Sequence, residues 1–163
     1  MKVDLITVDD RRLRKLYVYW MAKRGRHAMP SRADIDPIEL GSILGNLFLF
    51  DVDETLNGFR FRLAGSNIVD TVGVELTGRS LAGISPKYGL KPLLDQCLSV
   101  VASRQPSYLS VLYSAPARRM ICRQLLLPLS TDESRVEIIL GGIIYSPIAE
   151  DHAAGRRVSI NAG

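Results

Sequence analysis

Three carboxylates stand close together in the stretch "MPSRADIDPIEL" (29–40): Asp34, Asp36 and Glu39. Clustered acids serve general acid–base catalysis or hold a divalent cation. Here another job fits better. Asp36-Pro37-Ile38-Glu39 has an N-cap residue, proline at the first helical position and an acid three after the cap, a capping box with aspartate in place of serine. The acids also favour the positive start of a helix. We therefore expect a short helix running to about Gly45, and no catalytic or metal role for the three acids.

The other reactive side chains are few. His27 sits beside arginines, and His152 lies near the C-terminus. Neither is placed like a base beside a nucleophile. Cys97 and Cys122 are the only cysteines, far apart, without zinc spacing or a disulfide framework. They read as small buried hydrophobes in a reducing compartment. No Gly-rich phosphate loop of the Walker or dinucleotide type is present. These observations argue against a conventional enzyme, with no catalytic residues and no metal to assign; cofactors are left unknown.

The chain of 163 residues, 47% apolar and 23% charged, suits one soluble globular domain. No window approaches the ~20 apolar residues of a bilayer span. The opening residues have no leader-like pattern, so a cytoplasmic protein is expected. The net charge of +4 is unevenly spread: residues 11–26 hold seven cations and no acid, which leaves the remainder net negative. Such a segment suits nucleic acid or an acidic partner, or is the wet side of a helix.

The elements can be placed by period. Asp9 or Asp10 caps a helix to about Arg24, with Gly25 as its stop. Its stripe of Leu13, Leu16, Tyr17, Trp20 and Met21 must bury against the domain itself or a second subunit. Residues 46–52 read as a strand, 53–58 as a turn with Asn-Gly, and 59–64 as a second strand. Strict alternation puts Phe59, Phe61 and Leu63 on one face, Arg60 and Arg62 on the other. Ser66 caps a short helix, residues 73–84 form turns, and a longer helix covers 87–103 with Leu90, Leu93, Leu94, Cys97, Leu98 and Val101 inward. Three strands follow, 107–113, 118–129 and 135–145, separated by turns at 114–117 and 130–134. The result is an α+β fold: a five-stranded antiparallel sheet with helices on one face, able to hold a pocket between the layers. Three parts are expected: an amphipathic helix and lead-in (1–28), the sheet domain (29–147) and a loose tail (148–163).

This order of elements resembles the PAS fold. More specifically, "LYVYWMAKRGRHAMPSRADIDPIELGSILGNLFLFDV" (16–52), "FRFRLAGSNIVDTVGVELTGRSL" (59–81), "LLLPLS" (125–130) and "ILGGI" (139–143) resemble a family of bacterial single-domain PAS proteins. The resemblance implies a non-catalytic sensory module in cytoplasmic signalling that binds a partner protein, and a small ligand in its core. It transfers no catalytic residue. In a PAS-like fold Phe61, Leu63, Ile68, Leu94, Cys97, Tyr108, Tyr113 and Met120 are the candidate walls of a ligand site, though each also serves plain packing. Tyr108 and Tyr113 lie on opposite faces of a regular strand, so at most one points inward. Arg62 and Arg123 are expected to be exposed or ion-paired, with an anionic ligand as the other use. The stripe Leu13, Leu16, Tyr17 and Trp20 is the expected homodimer contact. The alternative is a nucleic-acid-binding regulator that uses the basic helix.

Overall fold

A computed structural model of the chain describes residues 7–53, 58–115 and 118–148, with nothing said of the side chains of Ala115 and Arg118. Helix α1 (Arg11–Arg24) is followed by a 3₁₀ helix (Pro37–Asn46), strands β1 (Leu47–Asp53) and β2 (Gly58–Ala64), helices α2 (Ser66–Val72), α3 (Leu81–Tyr88) and α4 (Lys91–Ser103), and strands β3 (Ser107–Ala115), β4 (Arg118–Leu129) and β5 (Ile138–Pro147). All strand pairs are antiparallel, in the order β2-β1-β5-β4-β3. The α+β reading holds, with changes in the helical run: residues 81–84, expected as turns, and 87–88, expected to open the longer helix, belong to α3, and α4 starts only at Lys91. The tail at 149–163, His152 within it, and the turn positions 54–57 and 116–117 lie outside the described residues.

The two faces of the sheet are told apart by a pair of glycines. A Cβ on Gly141 would lie 1.9 Å from Phe48 Cζ, and one on Gly142 would lie 2.8 Å from Leu13 Cδ2. Successive strand residues point to opposite faces, so Phe48 and α2 to α4 share one face, and α1 covers the other. Phe48, Phe50, Phe59 and Phe61 fill the first face at the β1–β2 end, with ring centroids from 4.4 to 6.3 Å apart.

Helix α1 forms as its sequence requires. The Asp10 carboxylate accepts from the Arg12 and Leu13 N–H groups, and Gly25, at φ 56°, ends the helix. Its stripe of Leu13, Leu16, Tyr17 and Trp20 is buried on its own sheet, and the Trp20 indole N–H donates to the Pro128 carbonyl at 3.0 Å. This corrects the expected homodimer contact: the four side chains are not available to a second subunit, because the outer face of β4 and β5 is itself apolar and needs them.

Two other expectations change. The register slips between Leu49, opposite Leu63, and Phe50, opposite Phe61, so Arg62 is an extra residue in β2. The bulge ends the alternation. Arg62 and Leu63 both face outward, with Leu63 49% exposed. In α4 the buried face runs through Leu93, Gln96, Cys97 and Val100; Leu94 and Val101 are half-buried and Leu98 is exposed.

Gly141→Ala should destabilise the protein by about 1–3 kcal/mol, because the Phe48 ring must leave its place. Phe48→Leu in the same background should recover part of the loss, read as a coupling in a urea-unfolding double-mutant cycle.

Candidate functional site

The acids of residues 34–39 are structural. Asp34 accepts from the Ser31 N–H at 2.8 Å and from the Ser31 hydroxyl at 3.1 Å. These bonds hold its carboxyl below the ordinary value. The capping box therefore sits at Ser31–Asp34 rather than at Asp36–Glu39. Asp36 does cap its helix, through the Ile38 N–H at 2.9 Å. Glu39 is drawn to α1 instead, accepting from the Tyr19 hydroxyl at 2.7 Å and pairing with Lys23 at 3.1 Å. Among the described residues no group of three His, Cys, Asp or Glu side chains is arranged for a metal ion.

The basic segment is largely engaged as well. Arg12 pairs with Asp10, and Arg14 donates to the Val8 carbonyl at 2.9 Å. Lys23 pairs with Glu39, and Arg24 lies over the Trp20 ring at 5.4 Å. It is therefore not a bare cationic stripe.

On the outer face, Tyr108 donates to Asp9, and Arg123 Nε lies 3.1 Å from the same carboxylate while its other arm reaches Ser146 Oγ at 3.1 Å. Tyr108 thus points away from the helix-covered face and does not line the expected site, as the alternation of β3 dictates. Arg62 pairs with Asp51 at 3.1 Å. Both arginines are ion-paired.

The helix-covered face holds the remaining candidates. Phe61, Ile68, Cys97 and Tyr113 are buried there, and Leu94 and Met120 are half-buried. Phe61 belongs to the aromatic cluster. Tyr113, opposite Met120, meets Tyr145 with centroids 5.9 Å apart, and Tyr145 is in turn opposite Cys122. Burial pushes the Cys97 thiol well up and the Cys122 thiol up to about 12, so both stay protonated at neutral pH and are poor nucleophiles.

Two buried polar residues of the helix-covered face interrupt its apolar pattern. Gln96 of α4 and Gln124 of β4 are 3% and 5% exposed in a largely apolar layer. The Gln96 amide nitrogen donates toward the Ser107 carbonyl and hydroxyl at 3.1 Å and the Gln124 main-chain carbonyl at 3.3 Å. The two carbonyl acceptors fix which end of the amide is nitrogen. Among the described residues, the Gln124 nitrogen has one partner, the Cys122 sulfur at 3.3 Å. Among the described residues, the Oε1 atoms of both glutamines are buried without a hydrogen-bond partner. Each such acceptor costs about 1–3 kcal/mol. The signal was there to read: Gln96 falls between Leu93 and Val100 at helical spacing, and Gln124 between Cys122 and Leu126 at strand spacing.

A family model described as "PAS domain" matches residues 8–144. The chain belongs to the PAS domain family. Among solved structures, the PAS domain of BvgS from Bordetella pertussis aligns at 21% identity with a TM-score of 0.50, over 71% of this chain and 89% of that one. A fungal light-oxygen-voltage photoreceptor aligns at 12% identity and TM-score 0.50, over 86% and 96%. An RNA-binding light-oxygen-voltage receptor aligns at 15% identity and TM-score 0.50, over 71% of this chain and 35% of that one. At these identities the likeness is one of fold. No curated protein matches the chain by sequence. Among the described residues, no helix of this PAS domain is long and apolar enough to cross a membrane.

Two outcomes are expected. Gln124→Met removes an unpartnered acceptor at the expense of one weak bond to sulfur, and should raise the stability of the unliganded PAS domain by about 1 kcal/mol in urea unfolding. Asp9 titrates differently. Partial burial works against its charge, yet the Tyr108 hydroxyl and Arg123 outweigh this and hold its pKa below 3.8. A depressed carboxylate contributes stability above its unfolded pKa and loses it as pH falls through the folded one. Asp9→Asn should therefore cost about 0.5–1 kcal/mol at pH 7, with wild type and variant converging as the pH drops below about 4.

Proposed function

We propose that the chain is a non-catalytic PAS-type sensory and regulatory module, which acts through contacts with another protein and whose core takes a small ligand that changes those contacts. The membership in the PAS family supports the sensory part. The observation that carries the ligand part is the pair of buried, unpartnered glutamine oxygens, which an apolar core built only to pack has no use for. In this reading the ligand lies against the helix-covered candidates Phe61, Ile68, Leu94, Cys97, Tyr113 and Met120. The functional unit runs through α1, which seals the other face, and works in the cytoplasm.

Contacts with a second copy, in this reading, use side chains left outside the core. Ile38, 88% exposed, and Leu44, 40% exposed, lie on one 3₁₀ helix. The basic side of α1 supports nucleic-acid binding less well, since four of its cations already have protein partners.

Native mass spectrometry of freshly purified protein tests both halves. The expected spectrum is a dimer carrying a small-molecule mass, with Ile38→Asp shifting it to monomer without loss of thermal stability. A bare monomer whose melting temperature no metabolite raises would overturn the proposal.

A further inference from the structure

The sheet has two edge strands, and the chain treats them differently. The edge of β2 is closed: the Phe61 N–H donates to the Arg79 carbonyl at 3.0 Å, the Phe61 carbonyl accepts from the Gly78 N–H at 2.7 Å, and Arg60 forms a bridge with Ser80. The bulge at Arg62 and the exposed cations Arg60 and Arg62 add further devices that keep foreign strands away. Strand β3, at the other edge, has none of these. It pairs with β4 in unbroken register from Ser107, opposite Leu126, to Ala115, opposite Arg118, and its sequence holds no charge and no proline. Among the described residues, no strand, bridge or main-chain hydrogen bond reaches its outer side. The Ser107 carbonyl alone has a side-chain partner, Gln96.

A bare edge of this length specifies its occupant by backbone chemistry. Alternate residues of β3 turn an N–H and a C=O away from β4, and an extended chain is what satisfies such a row. The side chains agree on both faces. Leu109 and Val111 on the helix-covered side, and Leu112 on the outer side, are half-buried, so an added strand with apolar residues continues both layers. Charge then decides which chain. Arg104, the C-cap of α4, stands just before β3, and Arg119 is opposite Ser114 near its far end. The corner after α3 meets that same end, where a Cβ on Gly89 would lie 3.4 Å from the Ser114 carbonyl oxygen, and Lys87 is in the last turn of α3. All three cations are exposed, and among the described residues none pairs with a carboxylate. Asp9 and Asp95 are already committed, to Arg123 and Lys91. A second copy laid along β3 in either direction brings cations against cations; a strand with acids at its ends does not.

We propose that the free edge of β3 is the docking site for the partner protein, which adds an extended segment to the sheet, apolar at alternate positions and acidic at both ends. Main-chain hydrogen bonds along 107–115 hold the segment, Leu109, Val111 and Leu112 meet its apolar side chains, and Arg104, Lys87 and Arg119 receive its acids. This rests on the regulatory reading and names its contact.

The test is amide hydrogen exchange of the full chain, alone and with a synthetic peptide as long as β3 that alternates valine and threonine between glutamates at both ends. Alone, every second amide of β3 should exchange freely; with the peptide, the same amides should slow by at least about tenfold. The same peptide with every valine and threonine N-methylated should protect nothing. Lysines in place of its glutamates, or Arg119→Glu in the protein, should weaken binding by about threefold or more. No protection of β3 overturns the proposal, as does equal protection by the methylated peptide. Equal binding of the lysine peptide overturns the acidic partner. Exchange that is already slow in the free chain at every concentration puts residues 149–163 on the edge, and slowing that grows with protein concentration puts a second copy there; either result overturns it. The peptide comparisons need only wild-type protein, so they decide even if the variant fails to fold. If β3 stays untouched while the purified protein is a dimer that carries a small molecule, the sensory reading stands and the docking edge falls.

Discussion

Strand β5 is buried on both faces, and everything else in the domain answers to that. Ile139, Gly141 and Ile143 face α2 to α4, while Leu140, Gly142 and Ile144 face α1, and all six are buried. A strand with no wet side forces a helix onto each face of the sheet. It explains why α1, whose stripe is large enough to look like a subunit interface, turns back on its own chain. It also explains the two glycines: each gives up its side chain so that a bulky neighbour, Phe48 or the Leu13–Leu16 pair, can approach the backbone.

Much of this was legible. Strict two-residue and helical periods placed all five strands and the first and last helices, and Asp10, Gly25 and Pro37 marked helix ends by chemistry that is local. What failed was non-local. The bulge at Arg62 depends on how β1 and β2 pair, and it moved Leu63 to the outer face against a faultless alternation. Glu39 left its capping box because Tyr19 and Lys23, more than a turn away in another helix, offered more. The stripe of α1 was correctly seen as apolar, yet its partner is decided only by what the distant strand β5 demands.

The polar pair in the core was harder to read for a related reason. Most of the apolar candidates lie on the helix-covered face, but they are ordinary core residues. Gln96 and Gln124 interrupt two clean apolar periods. An interruption looks like noise until the fold brings the two together and leaves both of their oxygens without a partner.

Gly141 and Gly142 give the sheet a particular mechanical character. Where they sit it is a single backbone thick, with the Phe48 ring touching one side and two leucines of α1 the other. No side chain is interposed to absorb a displacement. A push on the aromatic layer therefore meets peptide groups directly, with the leucines of α1 packed on their far side.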